Sequence, residues 1–239
     1  MSKMFEIERL DHILAFLHEK PTATVKTLAN RLYASEATVR RDLTELEKRG
    51  LVKRLHGGVV LLDGANRELP IAVREQQNVE AKREIAAKAA KYLRDGQVIF
   101  LDASSTVMFL IKYFESFKLL TIVTNGLKTA QELSGLNHNV YCTGGLMLHN
   151  SSAYVGDFAV DFVRHFNADV FFFSSRGVSE TGMINDASVE ETNVRRAMFE
   201  QSRQRIFLSD HSKLGKTYCY NLCSLKQADA WITDDERPK

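Results

Sequence analysis

The chain has 239 residues, 44% hydrophobic and 26% charged, enough for one small domain plus one medium one and unlike the depleted, highly charged composition of disorder. Three cysteines, at 142, 219 and 223, are too sparse for a disulfide framework and lack the histidine neighbours of a zinc site, which points to a reducing cytoplasm. The net charge of +2 divides unevenly: residues 1–62 hold 11 Lys+Arg against 8 Asp+Glu and residues 63–239 hold 21 against 22, so near-neutrality does not exclude a nucleic-acid-binding module.

Glu6, Glu8 and Asp11 close behind Met1 lack the basic-then-apolar order of a signal peptide, and no apolar run approaches ~18 residues, so neither secretion nor a membrane span is expected. Ile7, Leu10, Ile13, Leu14 and Leu17 follow helical spacing until Pro21 ends it. Thr24 can cap a second helix with Val25, Leu28, Ala29 and Leu32 inward. After a break at Tyr33 and Ala34, Ser35 can cap a third, with Val39, Leu43 and Leu46 inward and Thr38, Arg40, Arg41 and Thr44 among the remaining positions. Three short amphipathic helices, the last two tightly joined, match a helix-turn-helix. Leu51-Val52-Lys53-Arg54-Leu55, His56-Gly57-Gly58 and Val59-Val60-Leu61-Leu62 then predict a strand, a glycine turn and a strand, the wing of such a domain. Within residues 40–54 the bases Arg40, Arg41, Lys48, Arg49, Lys53 and Arg54 outnumber Asp42, Glu45 and Glu47. That concentration on the third helix and the wing favours DNA over a three-helix protein-interaction module.

Ser35-Glu36-Ala37-Thr38-Val39-Arg40-Arg41-Asp42-Leu43, followed by Leu46 and Arg54-Leu55-His56-Gly57-Gly58, resembles the winged helix-turn-helix signature of DeoR-type bacterial transcriptional regulators. The resemblance implies that Thr38, Arg40 and Arg41 lie at the DNA surface. Ser35, Thr44, Lys53, Arg54 and His56 complete the candidate DNA-contacting set. An arginine can grip guanine with two hydrogen bonds or clamp a phosphate, and either role is open to each. Asp42, given its sign, is expected to partner a nearby arginine instead.

A polar stretch from 63 to 79 separates this domain (1–62) from the remainder (80–239) and is expected to be a linker. An alanine-rich helix is predicted at about 80–94. Short apolar runs then alternate with helical segments: Val98-Ile99-Phe100-Leu101 before a helix at about 106–115, Leu120-Thr121-Ile122-Val123 before 126–134, and Val140-Tyr141-Cys142 before about 154–165. Val170-Phe171-Phe172-Phe173 precedes a helix at about 188–202, Ile206-Phe207-Leu208 follows it, and Ala230-Trp231-Ile232 comes last. The pattern predicts an α/β fold built on a mainly parallel sheet covered on both faces.

After each run stands a small or polar segment: Asp102-Ala103-Ser104-Ser105-Thr106, Thr124-Asn125-Gly126, Thr143-Gly144-Gly145, Ser174-Ser175-Arg176-Gly177 and Asp210-His211-Ser212-Lys213. In a parallel sheet these ends share one edge and form the expected ligand crevice. Ser104, Ser105 and Thr106 offer donors to an anion, for which phosphate is the natural occupant. Lys213 could neutralise it, while Asp102 and Asn125 could bind sugar hydroxyls or hold the loops. Glu190 and Glu191 suit the start of a helix through its dipole, and Cys219 and Cys223 are expected to pack rather than form a redox pair.

This half also resembles the DeoR effector domain, similar in fold to ribose-5-phosphate isomerase and CoA-transferase-like proteins. The matching residues are Asp102 with Ser105-Thr106, Thr124-Asn125, Gly144-Gly145, Ala168-Asp169, Gly177, Gly182, Glu191 with Val194 and Met198, and Asp210 with Ser212-Lys213. It implies a phosphorylated-sugar effector, held by Asp102, Ser104, Ser105, Thr106, Thr124, Asn125, Gly144, Gly145, Ser175, Glu191, Asp210 and Lys213, with no catalysis, cofactor or metal. The family loop commonly reads D-x-G-[ST]-T. Here Ser104 stands where glycine is frequent, which leaves less room for backbone to approach the phosphate. The expected protein is a cytoplasmic homo-oligomer, dimer or tetramer, that represses carbohydrate genes by binding double-stranded operator DNA. Two other readings are a sugar-phosphate isomerase-like enzyme with an added DNA-binding arm, using Asp102 or Glu191 as base, and an interaction protein with no small ligand.

Overall fold

In a computed structural model of the chain, which describes residues 6–49, 51–61 and 71–234, the hydroxyls of Thr24 and Ser35 begin two of the first unit's three helices. The chain divides into units Met1–Leu69 and Pro70–Lys239. Gly50, Leu62 and the expected linker stretch 63–70 lie outside the described residues, as does the side chain of Ile7.

In the first unit α1 spans Glu6–Glu19 and is followed by β1 (Thr22–Thr24), α2 (Val25–Leu32) and α3 (Glu36–Lys48). Thr24 Oγ accepts the Thr27 N–H at 3.0 Å and Ser35 Oγ accepts the Thr38 N–H at 3.1 Å, each satisfying a helix N–H that has no partner of its own. Between the two helices Tyr33 takes a left-handed conformation, φ 49°, and its N–H closes on α2. Leu10, Ile13, Leu17, Leu28, Val39, Leu43 and Leu46 are buried together, as the helical spacing predicts. The wing is β2 (Val52–Leu55) and β3 (Gly58–Leu61), turned at Gly57 with φ +80°. β1, which the sequence pattern does not announce, pairs with β3 and makes a three-stranded antiparallel sheet in the order β1-β3-β2. A side chain on Gly58 would meet the Ala23 carbonyl oxygen at 2.7 Å, so the close pairing there needs glycine.

The second unit starts with α4 (Ile71–Glu75) and α5 (Val79–Ala89). Ile71 is buried in the core, so residues 71–78, expected to be linker, pack with the unit. The sheet consists of β4 (Val98–Leu101), β5 (Thr121–Thr124), β6 (Asn139–Cys142), β9 (Ala168–Phe173), β12 (Ser202–Leu208) and β14 (Ala230–Ile232). Their order is β14-β12-β9-β4-β5-β6, and every pairing is parallel.

Strand side chains alternate between faces, and the two cores follow that period. Ile99, Leu101, Ile122, Val170, Phe172, Ile206 and Leu208 pack on one face with Ile85 and Ala89 of α5 and Leu133 of α7 (Leu127–Leu133). Phe100, Val123, Phe171, Phe173 and Phe207 pack on the other with Ala159 and Val163 of α8 (Asp157–Arg164) and Val194 and Met198 of α9 (Val189–Glu200).

Three departures from the sequence pattern are local. The helix expected at 106–115 is a short α6 (Ser105–Met108) followed by a 3₁₀ segment, Ile111–Ser116. The helix expected from 154 is preceded by β8 (Ala153–Val155), which pairs with β7 (Leu146–Leu148). Finally β10 (Gly177–Val178), β11 (Met183–Asp186) and β13 (Tyr220–Ser224) form a separate antiparallel sheet. Such strands are too short and too mixed in polarity to stand out from loops.

Candidate functional site

On the first unit, α3 presents Ser35, Arg40 and Arg41 to solvent, with Thr38 and Thr44 half-buried, while Lys53, Arg54 and His56 are exposed on the wing. Arg40 is tied to Glu36 at 2.6 Å. The Arg54 guanidinium donates to Thr44 Oγ at 2.6 Å and its backbone N–H to Glu47 at 2.8 Å, which fixes the wing against α3. Arg41 forms no ion pair among the described residues and lines a groove with Thr38, Thr44, Glu45 and Lys48. Asp42 is buried and receives both Arg9 Nε and an Arg9 terminal nitrogen at 2.8 Å. It is an arginine's structural partner, and the arginine comes from α1.

In the second unit the strand ends are stitched to one another. Asp102 Oδ2 accepts the Ser174 N–H at 3.1 Å, joining the ends of β4 and β9, and Asp102 Oδ1 accepts the Ser104 N–H at 3.1 Å. Gly126 approaches the β4 loop so closely that a side chain there would stand 3.1 Å from Ala103 Cα. Its N–H donates to Thr124 Oγ at 3.0 Å, and the Thr143 N–H donates to the Thr124 carbonyl at 3.1 Å. The β7–β8 hairpin is held to the same edge by the Tyr154 N–H on the Asn125 carbonyl at 2.7 Å and the Leu127 N–H on the Ser152 carbonyl at 2.9 Å. The Asn78 amide donates to Asp210 Oδ1 at 2.9 Å and Ser212 Oγ at 3.1 Å. The segments after β4, β5, β6 and β9 are therefore joined to one another, and the one after β12 is tied to the residue before α5.

Within that edge the residues divide into two groups. Asp102 and Glu191 belong to a buried cluster on Arg195, whose nitrogens reach Asp102 at 2.9 Å and Asp186 and Glu191 at 2.8 Å. Burial pushes the Asp102 carboxyl up, against the pull of Arg195 and the Ser104 and Ser174 contacts. Asp102 thus ties the β4 and β9 loops to each other and to Arg195. Gly145, at φ +109°, lies where a side chain would meet the Val155 carbonyl oxygen at 2.6 Å, so its work is to let the β6 loop cross β8. Gly144 also has positive φ, and the Ser175 hydroxyl donates to the Gly177 carbonyl at 3.0 Å. Ser104 caps α6 by accepting the Val107 N–H at 3.3 Å, a use for the side chain that replaces the family's glycine.

The second group is charged. Lys213 is partly buried after β12, and burial lowers its pKa; Asp210 opposes that shift, while Arg74, Arg176 and Lys216 reinforce it. Burial also works against the Asp210 charge, but Ser212, Lys213 and Asn78 outweigh it and hold this carboxyl below its ordinary value. Lys82, from α5, is only 3% exposed and donates to Ser105 Oγ at 3.1 Å and to the Arg74 carbonyl. No carboxylate lies within ion-pair distance of it among the described residues. Burial pushes its pKa down to about 8, with Asp210 opposing and Lys213 and Arg74 adding to the shift. The residues of the second unit also include three buried oxygens without a hydrogen-bond partner: Asn125 Oδ1, Thr129 Oγ and Ser151 Oγ.

Sequence reasoning singled out Lys213, Asp210, Ser105, Thr106 and Asn125 but missed Arg74, Asn78, Lys82, Asp186 and Arg195. Two of these carried a signal. Lys82 shares a helical face with Ile85, Ala86 and Ala89, and Arg195 with Glu191, Val194 and Met198, and all eight are buried.

Comparison with known proteins matches both units to one family. The model of the DeoR-like helix-turn-helix domain matches residues 9–64, and that of the DeoR C terminal sensor domain matches residues 77–235. The chain is 34% identical to the HTH-type transcriptional regulator GolR of Listeria innocua, over 98% of this chain and 92% of that one. It is 31% identical to the lactose phosphotransferase system repressor of Staphylococcus epidermidis, over 97% and 93%. Among solved structures, eIF2B delta of Chaetomium thermophilum superposes with a TM-score of 0.51 at 14% identity, covering 97% of this chain and 72% of that one. Ribose 5-phosphate isomerase A of Methanocaldococcus jannaschii gives 0.44 at 16% identity, covering 58% and 55%. The eIF2B delta superposition is a likeness of fold alone, whereas the matched domains and relatives are those of regulators. No helix among the described residues is long and apolar enough to cross a membrane. The chain belongs to the DeoR family of helix-turn-helix transcriptional regulators.

Proposed function

We propose that this regulator represses genes of carbohydrate use by binding double-stranded operator DNA in the cytoplasm, and that a phosphorylated sugar entering the strand-edge crevice of the second unit releases it. The feature that carries the effector reading is the setting of Lys213 at the strand edge: partly buried, it is disfavoured as a cation by burial and by Arg74, Arg176 and Lys216, with Asp210 opposing. Cations gathered in partial burial repel one another and lose hydration, a cost that an incoming phosphate dianion offsets. Ser105, Thr106 and Lys213 are assigned to the phosphate. Asn125, Thr129 and Ser151, with their unpartnered oxygens, are assigned to sugar hydroxyls, which are the donors those oxygens need. Asp102 and Glu191 are given the scaffold role that Arg195 imposes. A relative named as a repressor of a lactose phosphotransferase system supports the carbohydrate reading.

On the first unit, Thr38, Arg41 and Thr44 are assigned to the major groove, Lys53, Arg54 and His56 to the backbone beside it, and Ser35 and Arg40 to the entry of α3. A homo-oligomer, dimer or tetramer, follows from the pairing of half-sites. The test is a screen of sugar phosphates for a rise in melting temperature, repeated in gel shifts with the protein's own promoter region. A compound that raises the melting temperature and lowers operator affinity supports the reading. Unchanged melting with every phosphorylated sugar sinks the effector part, and binding without sequence preference at physiological salt sinks the operator part.

A further inference from the structure

Lys82 is an ammonium held almost wholly out of water by neutral partners. Its contacts are the Ser105 hydroxyl, the Arg74 carbonyl and, 5.9 Å away, the Phe109 ring. Replacing water by two neutral acceptors and a ring does not restore the hydration of a cation. The acid that acts on it most, Asp210, is already engaged with Ser212 and Asn78. A buried lysine in this state lacks a counter-ion, and its neighbour Ser105 belongs to the hydroxyl turn assigned above to phosphate.

Lys82 also touches the segment by which the sensor begins. The Arg74 carbonyl lies in the last turn of α4, where helix carbonyls lack intrahelical partners and attract cations, and there it accepts both Lys82 Nζ and the Gln77 N–H. The rest of the segment is fastened by the Ile71 N–H on the Asn150 carbonyl at 2.6 Å, by Glu75 on Lys128 at 2.8 and 2.9 Å, and by Asn78 on Asp210 and Ser212. In sequence, residue 71 follows directly on the stretch 62–70 that leads from the wing.

We propose that Lys82 is a ligand of the effector's phosphate and the relay of its occupancy: on binding, Nζ leaves the Arg74 carbonyl for a phosphate oxygen, and the end of α4 loses its fastening. This rests on the reading of the crevice as the effector site. The two arrangements supply the differential affinity that any ligand-driven switch requires, because phosphate binds only the one in which Nζ is turned to it. Release of α4 then loosens residues 71–78, and the change passes along the chain toward the reader.

The experiment uses the full-length protein, with inorganic phosphate as the probe. Binding is followed by thermal shift, and hydrogen–deuterium exchange is measured over residues 71–78 with and without saturating phosphate. In the wild type, phosphate binds and exchange over 71–78 rises. Lys82→Met removes a charge-assisted bond and lowers phosphate affinity by about tenfold to a hundredfold, while Lys82→Arg, which keeps the charge, retains most of it. Lys82→Met at saturating phosphate shows no further rise in exchange. Wild-type affinity in Lys82→Met overturns the proposal. So does unchanged exchange over 71–78 in the phosphate-saturated wild type, a measurement that needs no variant to fold. Lys213→Met separates the two levels of inference. If it abolishes phosphate binding while Lys82→Met does not, the crevice stands and the relay falls. If the wild type binds no phosphate and none of the sugar phosphates in the screen, both fall together.

Discussion

Arg195 Nε lies 2.9 Å from Asp102 Oδ2, and with its other two nitrogens on Asp186 and Glu191 one guanidinium joins the end of β4, the end of β11 and the first turns of α9. All four side chains are buried, and three carboxylates share this one guanidinium. Removing one partner of a buried ionic cluster strands the others and costs about 3–5 kcal/mol. Arg195→Met is expected to destabilise the second unit by that order in urea unfolding at pH 7. The loss should shrink as pH falls, because Asp102, already pushed up by burial, takes a proton more readily once the opposing pull of Arg195 is gone. A loss under about 1 kcal/mol would refute the scaffold role.

Lys82 gives two pH dependences of opposite sign. Without ligand its folded pKa of about 8 lies below the ordinary 10.5. The folded chain therefore holds fewer protons than the unfolded one between these values, and the group's penalty, full below pH 8, is relieved as pH rises. Phosphate bound beside Nζ raises that pKa, so binding above pH 8 takes up a proton and affinity falls as pH climbs. Below about pH 6 a sugar phosphate loses its second charge and affinity falls again. Arg74 and Glu75 of α4, with Asp210 and Lys213 after β12, also act on Lys82; Asp210 is held below its ordinary pKa and stays ionised, while Lys213, lowered by burial, adds to the alkaline limb. Calorimetry in buffers of different ionisation heat should find proton uptake near pH 9 that shrinks in Lys82→Met, the remainder belonging to Lys213.

How much of this was legible depends on the periodicity each residue obeyed. The caps at Thr24 and Ser35 and the buried faces of α2 and α3 follow from spacing alone, because the first unit is small and its helices have one inward stripe. The six parallel strands were legible as apolar runs, and their order was not, since nothing local encodes which run lies beside which. Asp102 and Glu191 were picked out as chemistry-bearing residues, but their use depends on Arg195, which looks like one more charge on a polar helix. Lys82 was hidden in the same way among Glu80, Arg83, Glu84 and Lys88. In both, the clue was a charge on the apolar face, which demands a buried partner.

Gly145 tests whether the loop after β6 supports the crevice. At φ +109°, with the Val155 carbonyl oxygen 2.6 Å from where a side chain would begin, alanine is refused by both backbone conformation and space. Gly145→Ala should pry the start of β7 from the end of β8 and cost about 1–3 kcal/mol. Because Asn125 and Leu127 hold the same hairpin, phosphate affinity should fall as well. Thermal unfolding and phosphate titration of the variant check both, and unchanged values in the two would show that the loop yields freely.

Arg40 and Arg41 are adjacent in sequence and differ in commitment. Arg40 is paired with Glu36 at 2.6 Å across one turn of α3, whereas Arg41 lines the groove with Thr38 and Thr44. Exposed pairs of this kind are weak, about 0.3–0.5 kcal/mol, but the pairing still has to be broken before Arg40 can grip a base, and Glu36 would repel a phosphate beside it. Arg41→Ala is therefore expected to lose more operator affinity than Arg40→Ala, by about 1–3 kcal/mol if it reads a base. The salt dependence separates its two possible roles. A phosphate-clamping Arg41 lowers the slope of log K against log salt by about 0.9 and weakens all sequences alike, while a base-reading Arg41 leaves the slope nearly unchanged and relaxes preference at one operator position. Equal losses from both substitutions, on specific and nonspecific DNA alike, would mean that the Glu36 pairing does not distinguish the two arginines.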